Sequence, residues 1–255
     1  MVAFKLSITS LALFLATAIG APTDASMHLK RGIEYIADGE HLTIGDLPDW
    51  SLIFRASGSL IKGGCPPEAD INFCYAQKLS PSPDQEIDPD VSDEGPSQTN
   101  FISTRSVEAD GTTVKYTFKF QVLPDLDVPI HAGKVPLVRI VSKEPFEGGL
   151  PKAWLDVVDN YVGVFEDESI KPVVAVPLSE VVGKTMTHTW TVKGGPRGWT
   201  EINIEDPDGK LVLKYTVKGN TVESYRMRIG PIRLANSGSQ YTALFGDWRT
   251  EVIAV

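Results

Sequence analysis

Alternation of apolar and polar residues is the main pattern in this chain. The segment Lys115–Val122 reads KYTFKFQV, which places four apolar residues on one side and four polar residues on the other. A period of two is that of a β-strand with one buried face. Four other segments alternate in the same way: Thr187–Val192, Glu201–Glu205, Leu211–Val217 and Tyr225–Ile229. Two short apolar runs, Leu137–Val141 and Val173–Val176, predict strands that are buried on both faces.

Turn signals separate these segments. They are Asp110-Gly111, Gly194-Gly195-Pro196, Asp206-Pro207-Asp208-Gly209 and Gly219-Asn220. The only helical turn that the pattern indicates lies around Pro177–Val182. Many short strands joined by such turns predict an all-β protein, a two-sheet antiparallel sandwich.

The first 31 residues predict a secreted protein. A basic Lys5 precedes an apolar run, and Ala18-Ile19-Gly20 is a small-x-small cleavage site, so residues 1–20 read as a signal peptide. The apolar run is shorter than the ~20 residues that a membrane-spanning helix needs. Lys30-Arg31 resembles a kexin-type processing site, and cleavage there would make residues 21–31 a propeptide. This style of leader resembles that of fungal secreted proteins. Residues 32–255 are then one domain.

Charge and cysteine content limit the partners. Residues 1–31 carry three basic and one acidic side chain, so their removal changes the net charge from −9 to −11. Such a charge argues against a nucleic-acid or anionic-membrane partner, and we expect a monomer. Cys65 and Cys74 form an even pair, which in a secreted protein predicts a disulfide. Residues 80–98 read as a mobile acidic surface loop. Carboxylates of that loop could bind a structural Ca²⁺, but their spacing is not that of an EF-hand, and we predict no cofactor and no metal.

The segment YRMRIGPIRL, Tyr225–Leu234, raises the main functional question. Arg226 and Arg228 share one face of a strand, and Arg233 follows a Gly-Pro pair. Guanidinium groups bind carboxylates in bidentate geometry, so this basic row is either a site for an acidic polymer or an ordinary solvated strand face.

A second candidate site is the segment Glu201-Ile202-Asn203-Ile204-Glu205. It resembles the E-I-D-I-E strand of family 16 glycoside hydrolases, in which the two Glu are nucleophile and general acid. Here Asn203 replaces the central Asp. Retaining hydrolysis needs carboxyl groups about 5–5.5 Å apart. The Cα atoms of Glu201 and Glu205 would be roughly 13 Å apart at ~3.3 Å per residue, so both side chains must lean inward.

A broader resemblance covers residues 103–255. The Arg105-bearing segment, the strand after Asp110-Gly111, the late Gly209-Lys210 hairpin and the stretch 225–234 follow the layout of secreted jelly-roll polysaccharide lyases. The nearest in layout are fungal glucuronan lyases and alginate-lyase-like proteins of the concanavalin A-like fold. This resemblance implies a jelly-roll sandwich, β-elimination and a polysaccharide substrate that contains uronate.

The lyase motifs are only partly matched. The family's Gln-x-His strand corresponds to Leu137–Ser142, where Arg139 and Val141 stand, and its late tyrosine position holds Ile232. The remaining candidates for proton transfer are His131, His188 and Tyr225. Candidates for charge stabilisation or substrate binding are Arg105, Arg139, Arg226, Arg228 and Arg233.

Three function classes therefore stay open. The first is a polysaccharide-active enzyme, either a lyase or a glucan hydrolase that uses Glu201 and Glu205. The second is a lectin-like protein that binds sugar without turnover, with Trp199, in a glycine-rich hairpin tip, as the best exposed aromatic platform. The third is a structural secreted protein without a sugar site.

Overall fold

The computed structural model describes residues 32–79, 98–107, 111–126, 134–142, 153–166, 169, 171–195, 197–218, 224–233 and 241–254. The strands in chain order are β1 (Glu34–Asp38), β2 (Thr43–Leu47), β3 (Leu52–Ala56), β4 (Ser59–Lys62), β5 (Cys74–Lys78), β6 (Thr99–Ser103), β7 (Thr113–Val122), β8 (Val135–Ser142), β9 (Ala153–Val158), β10 (Tyr161–Phe165), β11 (Val174–Pro177), β12 (Met186–Lys193), β13 (Trp199–Glu205), β14 (Leu211–Lys218), β15 (Tyr225–Ile229) and β16 (Thr242–Ala254). Short 3-10 helices span Pro48–Trp50, Pro67–Ala69 and Leu178–Glu180.

Two antiparallel sheets of eight strands each contain all of these strands. Sheet A has the order β1-β4-β5-β16-β7-β12-β13-β14, and sheet B has the order β11-β10-β9-β8-β15-β6-β3-β2. The predicted fold class, an all-β jelly-roll sandwich of two antiparallel sheets, is confirmed. The five segments with strict alternation all form strands, and the helical turn predicted near Pro177 is the 3-10 helix Leu178–Glu180.

The inner faces of both sheets share one hydrophobic core. Sheet A contributes Phe118 and Trp190, and sheet B contributes Phe101 and Leu155, all with at most 1% of their surface exposed. Because alternate residues of each strand enter this core, the other residues of each strand form the outward face of their sheet.

One of the two apolar runs is less buried than predicted. Val173–Val176 enters β11, which lies at the edge of sheet B and alternates between half-buried and exposed positions. An edge strand has a neighbour on one side only, so the expectation of burial on both faces is wrong there.

The disulfide is present between Cys65 and Cys74, as the sequence predicted. The loop that it closes is fixed by Asp247, whose Oδ1 accepts hydrogen bonds from the backbone N–H groups of Asn72 and Phe73, each at 3.1 Å. Gly246 passes so close to this loop that a Cβ there would lie 2.0 Å from the Phe73 carbonyl oxygen.

The predicted leader and propeptide, residues 1–31, and residues 80–97 of the predicted acidic loop lie outside the described residues. Over the part of the chain that the structure describes, no helix has the length and apolar character needed to cross a membrane.

Candidate functional site

The outward face of sheet B brings three of the predicted arginines together. Tyr225, Met227 and Ile229 of β15 enter the core, so Arg226 and Arg228 lie on the outward side, where both are half-buried. In the register of β15 with β8, Arg228 lies directly opposite Arg139, and Arg226 lies opposite Val141. We call the surface formed by Arg139, Arg226 and Arg228 the arginine face.

Arg228 is held by neutral amides. Its Nε donates to Asn100 Oδ1 at 3.2 Å, and its Nη2 donates to Gln98 Oε1. Asn100 Nδ2 in turn donates to Gln98 Oε1 at 2.9 Å, and both amide residues are almost fully buried. These two hydrogen bonds fix the orientation of the Arg228 guanidinium on the arginine face.

Arg139 has a charged partner. Its Nη2 lies 3.1 Å from Oδ2 of Asp156 on β9, and the Asp156 side chain is completely buried. Burial raises the pKa of the Asp156 carboxyl above its usual value, while the charge and hydrogen bond of Arg139 and the charge of Lys134 act in the opposite direction. Asp156 Oδ1 and Arg139 Nε have no hydrogen-bond partner among the described residues.

A covered aromatic edge adjoins the arginine face. Trp154 of β9 lies opposite Arg139 and opposite Phe165 of β10, and the Lys134 Nζ lies 5.1 Å and 3.9 Å from the two ring centroids. Lys134 also donates to the Ser169 carbonyl. A Cβ on Gly163 would lie 2.5 Å from Pro172 Cβ, so the chain near Pro172 packs directly on this edge of sheet B. This cover explains why Trp154 and Phe165 are buried although they point away from the core.

Two residues proposed for proton transfer point into the core instead. Tyr225 is 2% exposed and belongs to the core between the sheets. His188 of β12 is 2% exposed and stacks on Phe118 at 4.9 Å, and burial lowers its pKa to about 3. Neither side chain reaches the arginine face, which corrects the expectation that they take part in its chemistry. The third candidate, His131, lies outside the described residues.

Two predicted arginines also lie apart from the arginine face. Arg228 pairs with Ile102, and Tyr225 forms a bridge with Val107. Between these two pairs the chain on the β6 side has two more residues than β15 has, so it forms a bulge. Arg105 lies in this bulge, exposed and beyond the end of β6. Arg233 follows β15 and is 2% exposed, and burial lowers its pKa. Of the five candidate arginines, three therefore lie together, and Arg105 and Arg233 lie elsewhere.

Val141 and Ile232 occupy the positions at which the sequence comparison places the proton-transfer groups of the lyases. Val141 lies beside Arg226 on the arginine face, and Ile232 bridges Gln98 just beyond β15 with 4% of its surface exposed. Both side chains are aliphatic. Neither can accept or donate a proton.

Glu201 and Glu205 lie on the opposite side of the sandwich, on the outward face of sheet A. Asn203 Nδ2 donates to Glu201 Oε1 at 2.8 Å, and Glu205 is exposed at the end of β13. Trp199 begins the same strand, is half-buried and lies opposite Lys193 and Lys218. The two candidate sites of the sequence are thus on different sheets and cannot act together.

Sequence reasoning missed three residues that shape the arginine face: Gln98, Asn100 and Asp156. The pattern of Ala153–Val158 could have indicated Asp156, because Trp154 and Asp156 alternate there with apolar residues and so share one face of the strand. Gln98 gave no signal, because its role depends on pairing with β15, which is 130 residues away. No group of three or more His, Cys, Asp or Glu side chains in the described ranges is arranged to hold a metal ion.

No protein-family model matches the sequence, and no curated protein sequence matches it significantly. Solved structures similar to this chain include an alginate lyase of polysaccharide lyase family 7, AlgAT5, with 10% identity, a TM-score of 0.48, and coverage of 84% of this chain and 83% of that one. The endo-β-1,4-glucuronan lyase of Trichoderma reesei has 13% identity, a TM-score of 0.45, and coverage of 87% and 92%. A functionally unknown protein of Saccharomyces cerevisiae has 11% identity, a TM-score of 0.42, and coverage of 71% and 89%. These are likenesses of fold alone.

Proposed function

We propose that this chain is a secreted protein that binds an acidic polysaccharide on the arginine face without cleaving it. The observation that carries the proposal is the direct cross-strand pairing of Arg228 with Arg139, with Arg226 on the same face. Asp156 is the described anion beside this pair and binds Arg139, while Arg226 and Arg228 add two more guanidinium groups to the same face. Uronate carboxylates are anions of suitable shape for guanidinium groups.

The expectation that this face does not catalyse elimination rests on the candidates that lie among the described residues. Removal of a proton next to a carboxylate requires a base within about 3 Å of that proton. Val141 and Ile232 occupy the lyase-like positions, and His188 and Tyr225 are turned into the core. The arginines can neutralise a carboxylate, but no described side chain among these candidates can take the proton.

The leader at residues 1–20 and the Cys65–Cys74 disulfide support secretion. The net charge of −9 is unfavourable for nucleic acid or an anionic membrane, so the positive site has to be local.

Binding to polyglucuronate, alginate and pectate tests the proposal, with the ultraviolet absorbance of unsaturated uronate as the measure of elimination. We expect binding without product. Arg228→Gln should weaken binding by about tenfold or more, because a hydrogen bond to a charged group contributes about 1.5–3 kcal/mol. Lys214→Gln, on the outward face of sheet A, removes the same charge and should leave the affinity unchanged. Release of unsaturated product, or equal affinities of both variants, would contradict the proposal.

The outward face of sheet A supports a second candidate, a β-glucan hydrolase or a glucan-binding surface. The supporting observation is that Glu201, Asn203 and Glu205 share this face and that Asn203 orients Glu201. Reducing-sugar release from β-1,3- and mixed-linkage glucans, lost in Glu201→Gln, would support hydrolysis. Binding to insoluble glucan that is lost in Trp199→Ala would support the lectin-like alternative.

A further inference from the structure

Of the two arginines that face each other on the arginine face, Arg139 forms an ion pair with a buried carboxylate. Arg228 bonds to the amides of Asn100 and Gln98, whereas Arg139 is paired with the carboxylate of Asp156. When Asp156 is ionised, its charge cancels that of Arg139 and also repels any carboxylate that approaches it. Arg139 is 19% exposed and can be reached from the face, while Asp156 lies entirely beneath it.

Few charged or titratable side chains besides Arg139 lie near the Asp156 carboxyl among the described residues. In the part of the chain that the structure describes, the charged and titratable side chains that act on Asp156 are Arg139 on β8, Lys134 just before β8, and Tyr241 just before β16. The Lys134 amine is engaged with the Ser169 carbonyl and the aromatic rings. The Tyr241 hydroxyl donates to the Pro136 carbonyl at 2.5 Å, and its pKa is well above the usual value, so Tyr241 stays neutral. On the neighbouring strand β10, the residue opposite Asp156 is Gly163, which has no side chain.

We propose that Asp156 is an acid-sensitive clamp on Arg139, which it blocks at neutral pH and releases for binding to an anionic polymer when it becomes protonated. The inference rests on the proposed function, because it concerns the same face. Protonation leaves the Arg139 guanidinium without a counterion and directly opposite the charged Arg228. A carboxylate or sulfate of the polymer then takes the place of Asp156.

The environment of Asp156 favours this change. The carboxyl is fully buried, its Oδ1 has no hydrogen-bond partner among the described residues, and its only described hydrogen bond is the one from Arg139. Burial raises its pKa, so it takes up a proton at a higher pH than an exposed aspartate does. The polymer's carboxyl groups stay ionised in that interval if their pKa is that of exposed carboxyls, about 4.

Binding at constant ionic strength between about pH 7.5 and about pH 4.5 tests the clamp, with polyglucuronate and dextran sulfate as probes. Dextran sulfate stays charged throughout, so any response to pH then comes from the protein. We expect the wild-type affinity to rise roughly tenfold across this range, as one added charge-assisted hydrogen bond would give. Asp156→Asn, which mimics the neutral acid at constant volume, should bind tightly at both pH values and lose most of the response.

Asp46→Asn is the matched control. Asp46 is exposed on β2 of the same sheet, and its substitution changes the net charge equally. It should keep the wild-type response, and thermal melts show whether each variant is folded. The double variant Arg139→Gln with Asp156→Asn leaves no buried charge and should bind weakly at both pH values.

The outcomes separate the two proposals. If Asp156→Asn responds to pH as the wild type does, while Arg228→Gln still weakens binding, the clamp is overturned and the binding face stands. If neither probe binds at any pH, both proposals are overturned.

Discussion

His188 makes this protein sensitive to acid, and the effect can be calculated. The imidazole lies in the core of the sandwich, stacked on Phe118 and edge-on to Phe120, and its Nδ1 has no hydrogen-bond partner among the described residues. It also lines an apolar cavity of about 10 Å³. Burial lowers its pKa from 6.5 to about 3, because the charged form cannot be solvated there.

The direction in which stability changes with pH follows from proton linkage. The folded state binds a proton at His188 less readily than the unfolded state does, so stability is complete above pH 6.5 and falls as the pH drops below it. One pKa unit corresponds to 1.36 kcal/mol, so two units, from 6.5 down to pH 4.5, cost roughly 2.7 kcal/mol. This loss is a large part of the 5–15 kcal/mol that stabilises a typical domain.

His188→Leu removes this sensitivity, because leucine is apolar and similar in volume. Urea unfolding at pH 7.5 and pH 4.5 gives the free energy of unfolding of each protein. We expect the variant to lose roughly 2.7 kcal/mol less than the wild type between the two pH values. His41→Gln is the control, because His41 is exposed and its loss should leave the wild-type slope unchanged. Equal losses in wild type and His188→Leu would refute the assignment of acid sensitivity to this residue.

Two further predictions concern packing. Gly246→Ala places a Cβ 2.0 Å from the Phe73 carbonyl oxygen, so it should lower the melting temperature and cost about 3 kcal/mol or more, whereas Gly32→Ala, which meets nothing within 4 Å, should be neutral. Gln77→Met should raise the free energy of unfolding by about 1–2 kcal/mol, because both polar atoms of this buried amide lack hydrogen-bond partners among the described residues. Gln121→Met should lower it instead, since Gln121 Oε1 accepts a hydrogen bond from Thr185 at 3.0 Å. Denaturant titration of the four variants measures these differences.

The strands were predictable because alternation is a local property. Tyr225–Ile229 forms β15 with the bounds and the buried side that its pattern predicted. The pattern also predicted that Glu201, Asn203 and Glu205 share a face. It was less informative for Val173–Val176, because an apolar run does not show whether the strand lies at the centre or at the edge of its sheet.

The candidate site was predictable only in part. Arg226 and Arg228 could be placed together from their spacing, but the pairing of Arg228 with Arg139 depends on the register of β15 with β8, which lies about 90 residues earlier in the chain. The ion pair of Arg139 with Asp156 depends in addition on the order of β8 and β9. The burial of Tyr225 could be read from its alternation, but the distance of Tyr225 and His188 from the arginine face could not.

The sequence by itself determined which residues of each strand point inward, because the two-residue period of a strand follows from its local backbone geometry. It did not determine which strands are neighbours. Strands β14 and β15 are consecutive in the chain yet belong to different sheets, and this placement separates the glutamates of β13 from the arginines of β15. Only the packing of the core from both sheets decides that partition, and with it the charge, partners and accessibility of Arg139 and Arg228.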